Sequence, residues 1–218
     1  KDINFTTTNI APFAENIFRL NKRLSITPGF RMEYLRSTSD GYKIKSGVKI
    51  PSHENRKRLI PLFGVGTEFR VSENTNVYAN ISQAYRPITY SDLTPFGVTS
   101  KIDPDLKDAA GFNSDLGYRG TVNNYLNFDV GLFYMAYNNR IGTILINPAS
   151  GDPYTLRTNV ANSVHKGLES YVEFNILKYL DQHSKRGLSI FNSLALIDAK
   201  YTSGEYKGNR VETAAKYI

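Results

Sequence analysis

Hydrophobic and polar residues alternate along much of this chain with a period of two, the mark of strands with two unlike faces. Between residues 59 and 87, Leu59, Phe63, Val65, Phe69 and Val71 share one face, and Gly64, Gly66, Glu68 and Arg70 share the other. The polar link Ser72-Glu73-Asn74-Thr75 follows, after which Val77, Ala79, Ile81 and Tyr85 oppose Tyr78, Asn80, Ser82 and Arg86. The cleanest run lies earlier, where Leu24, Ile26, Phe30, Met32 and Tyr34 alternate with Ser25, Thr27, Gly29, Arg31 and Glu33. Further on, Phe112, Leu116 and Tyr118 oppose Asn113, Asp115, Gly117 and Arg119, and Leu126, Phe128, Val130, Leu132 and Tyr134 oppose Asn127, Asp129 and Gly131. Leu168, Ser170, Val172, Phe174 and Ile176 alternate with Gly167, Glu169, Tyr171 and Glu173. Residues 10–20 and 188–200 read as less regular strands, and 210–218 as a strand just beginning. The regular runs have about the 9–11 residues that a tilted strand needs to cross a bilayer.

Such strands fit a soluble sandwich, with the apolar face inward, or a membrane barrel, with that face outward. The connections separate the two. Links at 21–22, 72–75, 120–124 and 178–186 are tight, whereas those at 36–58, 88–110, 138–163 and 202–209 are long. The third long one is expected to fold its own small hairpin around Asn147-Pro148 and Gly151-Asp152-Pro153. Antiparallel succession puts alternate links at opposite ends, so one end has tight turns and the other large loops. Short turns on one side and long loops on the other mark outer-membrane barrels.

Composition changes this picture little. The 218 residues include 15 Tyr and 12 Phe but no Trp, which suits β structure. No apolar run reaches the ~18 residues of a membrane helix, which leaves a barrel open. The net charge of +7 resides in loops without a stacked aromatic platform, so no nucleic-acid partner is expected. An anionic ligand or anionic lipid headgroups suit it better. With no Cys, disulfides and thiolate metal sites are excluded. The abrupt start at Lys1 and the unfinished last strand lead us to expect a piece of a longer chain.

Once the strands are placed, several phrases resemble the barrel portion of TonB-dependent outer-membrane receptors, the ferric-citrate or siderophore type in particular. They are Phe13-Ala14-Glu15-Asn16, Leu24-Ser25-Ile26-Thr27-Pro28-Gly29-Phe30-Arg31, and Asn76-Val77-Tyr78-Ala79-Asn80 through Tyr85-Arg86-Pro87. Ile102-Asp103-Pro104-Asp105-Leu106-Lys107, Leu116-Gly117-Tyr118-Arg119-Gly120, Asn159-Val160-Ala161, His165-Lys166-Gly167-Leu168-Glu169 and Gly208-Asn209-Arg210-Val211-Glu212 continue the series. Where the family usually reads Ala-Pro-Lys or Ala-Pro-Arg, this chain has Ala214-Ala215-Lys216. The resemblance implies an all-β, antiparallel transmembrane barrel of about 22 strands closed by an N-terminal plug. Residues 1–218 would supply about eight strands and part of a ninth of that barrel, with the plug and the C-terminal strands lying outside it. It further implies an outer-membrane location, uptake of an iron(III) chelate without a resident cofactor, and partnership with the TonB complex, the protein's own plug and outer-membrane lipid.

The candidate residues follow from charge and resemblance together. Glu15, Glu68, Arg70 and Glu169 belong to the lumen wall and are expected to face the plug, Glu15 and Glu169 through its arginines. Any water-lined wall is hydrophilic, so the plainer reading is a solvated face. The stretch 36–58 concentrates Arg36, Lys43, Lys45, Lys49, Arg56, Lys57 and Arg58 against Asp40 and Glu54. It suits solvent or anionic headgroups, or electrostatic steering of an anionic chelate. For that chelate the expected ligands are Arg56, Arg58, Arg86, Tyr90, Arg140 and Arg157, because guanidinium groups recognise carboxylates bidentately. His53, His165 and His183 lack metal-ligand spacing, and no G-x-S-x-G is present, so neither a metal centre nor an enzyme is expected. Asp115 and Asp129 read as wall residues rather than an acid–base pair. The alternatives are a soluble β-rich carbohydrate-binding or adhesion module and an outer-membrane hydrolase, the latter requiring a Ser/His/acid set.

Overall fold

The computed structural model describes residues 2–45, 48–93, 99–212 and 214–218. They form β1 (Asp2–Ile10), β2 (Phe13–Glu15), β3 (Phe18–Arg19), β4 (Leu24–Lys45), β5 (Val48–Arg70) and β6 (Thr75–Arg86). Then come β7 (Ser100–Ile102), β8 (Ala109–Val122), β9 (Leu126–Ile146), β10 (Tyr154–Asn175), the helix α1 (Ile176–Leu180) and β11 (Ser189–Tyr201). Among the described residues no helix is long and apolar enough to cross a membrane.

Two compact units result, Lys1–Asn16 with Pro28–Gly64 and Ile17–Thr27 with Val65–Ile218. In the first, β1 and β2 pair antiparallel with β4, and β4 neighbours β5. In the second, the order is β4-β5-β6-β8-β9-β10-β11, with β3 on β4 and β7 on β10. The β6–β8, β8–β9, β9–β10 and β10–β11 ladders are antiparallel; β7 runs parallel to β10.

Several boundaries differ from those the alternation predicts. The first strand begins at Asp2 rather than near residue 10, because Thr6, Thr7 and Thr8 pair with Thr38, Ser37 and Arg36. β-Branched hydroxyl residues hold a ladder without any hydrophobic alternation. Strand pairing breaks around Pro12, which offers no N–H but accepts one from Met32 at 3.0 Å through its carbonyl. The stretch 36–58, expected as a loop, is mostly the outer halves of β4 and β5, which run 22 and 23 residues. Beyond the apolar band nothing demands alternation, so the hydrogen-bond ladder alone continues. Likewise β9 and β10 reach Ile146 and Tyr154, leaving 147–153 as the hairpin tip. The tight link after β10 contains α1, capped by the Asn175 side chain on the Lys178 N–H. The last segment is not a strand of its own; it touches β11 through single bridges, Lys200↔Arg210 and Leu196↔Tyr217. At the tight turn after β8, Asn123 and Asn124 both have positive φ, 43° and 60°, and the Tyr125 N–H donates to the Val122 carbonyl. That is the primed hairpin turn whose twist matches its strands.

Register sorts the second unit into two faces. One cross-strand row reads Tyr78, Gly117, Gly131, Glu169, Ala195; the next residue along each strand gives Ala79, Leu116, Leu132, Leu168, Leu196. The leucine row is left largely open among the described residues: Leu116, Leu132 and Leu196 are 52%, 55% and 46% exposed, and Leu168 is half-buried. Each such side chain is worth about 1.5–3 kcal/mol when withdrawn from water. A continuous row of them is stable only against an apolar medium. Aromatic clusters bound this face. Near the tight turns Tyr125 meets Phe174 and Tyr179 edge-on and those two meet tilted, with centroids 5.2–5.8 Å apart, and Phe112 stacks on Tyr134 at 5.7 Å toward the other end. The rows of Leu126 and Ala136 are ten residue steps apart along β9. At about 3.3 Å per residue and a tilt of about 40°, they subtend roughly 25 Å, the height of a barrel's apolar band.

The polar face is thinned so that one aromatic can lie flat on it. Tyr78 extends across Gly117 and Gly131, and its hydroxyl donates to Asp129 Oδ1 at 2.9 Å. A Cβ at Gly117 would fall 2.3 Å from the Tyr78 Cζ, which is why that row needs glycine.

Val130 lies on the apolar face, near the middle of the Leu126–Ala136 band, 38% exposed. We expect Val130→Arg to cost about 2–4 kcal/mol in lipid, the range for a cation at the bilayer midplane. Reversible denaturant titration of the parent protein in vesicles reads this; equal stability with Arg would remove the face from hydrocarbon.

Candidate functional site

At the end opposite the tight turns, β6 finishes at Arg86 and the chain enters the 87–108 connection. This connection is not a free loop. Thr89 opens a turn closed by the Asp92 N–H on its carbonyl at 3.1 Å, and Asp92, 1% exposed, accepts five hydrogen bonds from four donor groups. Arg86 Nη2 donates to both its oxygens at 3.1 and 3.0 Å, the Thr89 N–H and hydroxyl donate at 2.9 and 2.8 Å, and Arg157 Nη2 donates at 2.5 Å. Burial opposes the Asp92 charge, but the bonds from Arg157, Thr89 and Arg86 outweigh it and hold the carboxyl well below the usual carboxylate range.

Because Arg157 sits on β10, this hub ties the connection to a distant strand. Further stitches follow in sequence. Ser100–Ile102 adds to β10 in parallel, the Asp103 N–H donates to the Arg157 carbonyl at 2.9 Å, and the Thr158 hydroxyl donates to Asp103 Oδ2 at 2.5 Å. Asn159 exchanges bonds with the Lys107 backbone at 2.8 and 2.9 Å. Tyr85 donates to Asp108 at 2.6 Å, which secures the return to β8.

Beneath these stitches lies a concavity of about 490 Å³, lined by Ala84, Arg86, Tyr137, Arg140, Ile141 and His165 among others. Arg140 Nη1 donates to Ser163 Oγ and to His165 Nε2, both at 3.1 Å. An accepting Nε2 means a neutral imidazole carrying its proton on Nδ1. The Arg140 guanidinium also lies 5.8 Å from the Tyr201 ring centroid, and Tyr137 meets His165 edge-on at 5.5 Å. These partners of Arg140 are neutral, so its charge is left to face the cavity. A carboxylate or another hard anion is the complementary ligand.

Of the six expected ligand residues, Arg86 and Arg157 meet at Asp92, and Arg86 and Arg140 line one cavity. Tyr90 lies inside the Thr89–Asp92 turn, where its carbonyl accepts the Leu93 N–H at 3.1 Å. Arg56 and Arg58 are half-buried on β5, in the first unit. The side chains of Lys43, Lys45 and Glu54, and residues 94–98 with the Thr94-Pro95 turn, lie outside the described residues. Of the expected wall residues, Glu68 pairs with Arg119 at 3.2 Å, and Arg70 lines a hollow with it. Glu169 is exposed in a hollow with Asp115 and Asp129, and Glu15 is exposed opposite Gly29. His53 pairs with Asp40. Sequence reasoning missed Asp92, although Thr89 three residues before it, just after Arg86-Pro87, is a turn signal. It also missed His165 as the partner of Arg140, for which register was needed.

The family model for the TonB-dependent receptor-like β-barrel matches residues 1–218, and the chain belongs to that family. Among solved structures, the ferric yersiniabactin uptake receptor FyuA from Yersinia pestis is similar at a TM-score of 0.75 and 16% identity, covering 99% of this chain and 30% of its own. The ferric citrate transporter FecA gives 0.71 and 19%, again over 99% and 30%. The copper transporter OprC gives 0.70 and 18%, over 91% and 30%. At these identities the likeness is one of fold: an antiparallel barrel wall. The chain spans about three tenths of the length of these receptors.

Asp92→Asn removes the negative hub between two guanidinium groups, and we expect the 87–108 connection to loosen by about 3 kcal/mol. Hydrogen exchange at the Asp103 and Thr155 amides is the reading. With a depressed folded-state pKa, the contribution of Asp92 is complete above the usual carboxylate pKa. It disappears only as pH falls through the lower folded-state value. Protection in the wild type should therefore hold at pH 5 and fail only in strong acid.

Proposed function

We propose that this chain is part of the wall of an outer-membrane receptor that takes up an anionic iron(III) chelate, citrate- or siderophore-like, with energy delivered through TonB. The observation that carries this reading is the Arg86–Arg140 cavity at the long-loop end of a wall that belongs to the TonB-dependent receptor family. A pre-chelated metal needs no ligand set from the wall. It needs cations and aromatic groups that grip the anionic periphery of the chelate, and Arg140, Tyr137 and Arg86 supply both chemistries. Arg157 and Tyr90 would extend that grip, and the charges of Arg56 and Arg58 would attract an anionic ligand to the protein at long range. A soluble binding module is disfavoured by the outward leucine row, which would aggregate in water.

Uptake of radiolabelled ferric citrate and of ferric siderophores by iron-starved cells, with and without TonB, tests the reading. TonB-dependent uptake of one anionic chelate, reduced at least tenfold by Arg140→Ala, is expected. Equal accumulation by cells lacking the receptor would remove it.

In the same reading the exposed carboxylate of Glu169 faces the plug and pairs with a plug arginine, as would Glu15. Glu169→Ala in the full receptor should loosen the plug and admit large antibiotics normally excluded. Unchanged exclusion, together with unchanged uptake, would sink this pairing.

A further inference from the structure

By simple alternation Arg140 belongs on the outside of the wall. Counting on by twos from Leu132, Tyr134 and Ala136, which lie on the apolar face, reaches Asn138 and then Arg140. Yet Arg140 Nη1 donates to Ser163 Oγ and His165 Nε2, and those two residues stand in step with Gly167 and Glu169 on the polar face of β10. The guanidinium group has been carried through the sheet.

A pair of bulges set against one another carries it. Tyr137 pairs with Ser163 and Ile141 with Asn159, and between these pairs the two strands are equally long, 138–140 on β9 and 160–162 on β10. A regular ladder would match Asn138 with Asn162, Asn139 with Ala161 and Arg140 with Val160. Instead Arg140 pairs with Ala161, so Asn138 and Asn139 together oppose Asn162, and Val160 is the extra residue on the other strand. The two irregularities cancel in register but change what β9 shows. The bulged form puts Arg140 inward beside Ala161; the regular form would put Asn139 there and Arg140 outward. Bulges re-aim side chains in this way next to functional sites.

Three asparagines select the bulged form. Asn139 has a φ of 55°, in the left-handed region that asparagine tolerates and β-branched residues avoid. It has no partner in the β9–β10 ladder, and side chains stand in for one. The Asn139 N–H donates to Asn162 Oδ1 at 2.9 Å, and its carbonyl accepts from Asn159 Nδ2 at 2.8 Å. Asn162 is itself fixed, because its N–H donates to Ser203 Oγ at 2.8 Å and its carbonyl accepts the Thr202 N–H at 2.9 Å. Gly204 brings the same link tight against β10: a Cβ there would fall 2.3 Å from the Val160 carbonyl oxygen.

We propose that Asn139, Asn159 and Asn162 are positioning residues of the Arg86–Arg140 cavity: they hold the paired bulge that turns Arg140 from the outward face of β9 into that cavity. This rests on the reading of the cavity as the site of an anionic chelate. Because the regular pairing lies at the same register, nothing beyond this segment has to move for Arg140 to turn away. The asparagines therefore set the fraction of the protein with an inward guanidinium group, and with it the affinity for an anion.

The test uses the full receptor in detergent, with heat-dependent gel mobility as the check on folding. Geometry is read without ligand, by oxidative cross-linking of Arg140→Cys/Ala161→Cys. These positions lie directly opposite on one face in the bulged form and on opposite faces in the regular one. The cross-link should form with Asn139 in place and with Asn139→Gly, which also accepts a positive φ, and should be lost with Asn139→Val. If Asn139→Val does not fold, Asn162→Ala, which removes the acceptor of the Asn139 N–H, should reduce cross-linking in the same direction. Equal cross-linking in the folded variants overturns the positioning role. Binding is read with iron(III) citrate. Asn139→Val should weaken it by about tenfold, the worth of one charged hydrogen bond, and should add nothing to Arg140→Ala. A further loss in the Arg140→Ala background would overturn the proposal, since Asn139 would then act on the fold at large. Cross-links as expected, with a wild type that binds no iron(III) citrate or binds it equally well as Arg140→Ala, would overturn the chelate reading and leave the bulge assignment standing.

Discussion

Backbone polar groups in hydrocarbon have no water to fall back on, so each must find its partner within the sheet. This requirement organises the chain. The β6–β8–β9–β10–β11 ladders meet it with continuous antiparallel pairing, and once they do, side-chain alternation is the only freedom left. One side of each strand can then be given to lipid and the other to whatever occupies the lumen. The leucine row through Leu116 and Leu132, and the glycine row through Gly117 and Gly131, are the two consequences of one register. Shifting any strand by one residue would exchange them, which is why the register is so strongly specified.

Where the apolar medium ends, the rule relaxes and different interactions take over. The outer halves of β4 and β5 continue as a ladder built from polar residues, with the Thr6–Thr38 and Thr7–Ser37 pairs holding β1 alongside. The 87–108 connection is held instead by charge. Asp92 could not stay ionised at 1% exposure without its two arginines and Thr89, and the arginines would repel one another without Asp92. The result is a stitched segment that keeps Arg86 and Arg140 over one cavity. Thus an internal ion cluster, together with the burial of Ile88 and Leu106, prepares the rim of the candidate ligand site.

This division also explains what the sequence discloses. Within the apolar band the alternation of Phe128, Val130 and Leu132 with Asn127, Asp129 and Gly131 is forced by two solvents, so face and approximate span can be read directly. The outer halves of β4, β5, β9 and β10 lie beyond the apolar band, and Thr, Ser and Asn there look the same in a strand as in a loop. The arginine candidates were recognisable by type, but not their engagement. Arg157 and Asp92 are 65 positions apart, and only the parallel addition of Ser100–Ile102 to β10 brings their surroundings together. His165 sits behind Arg140 because β9 and β10 carry irregular register near Ala161, a detail that alternation does not encode. Unpredicted α1 follows the same logic, since a one-turn helix capped by Asn175 has too few residues to show a period.

The distribution of charge on the polar face is harder to attribute to solvation alone. A wall needing only to be wet would be served by interspersed signs, which minimise repulsion between neighbours. Here Arg23 and Arg70 stand opposite one another with no acid between them, while Asp115, Asp129 and Glu169 collect on β8, β9 and β10. Keeping like charges together costs free energy in an empty lumen and returns it only when something of opposite sign is present. Because Tyr78 and Arg119 consume the nearest acids, the wall cannot neutralise itself by side-chain rotation. The charge of Arg23 and Arg70 is therefore left facing the hollow that they share with Arg119.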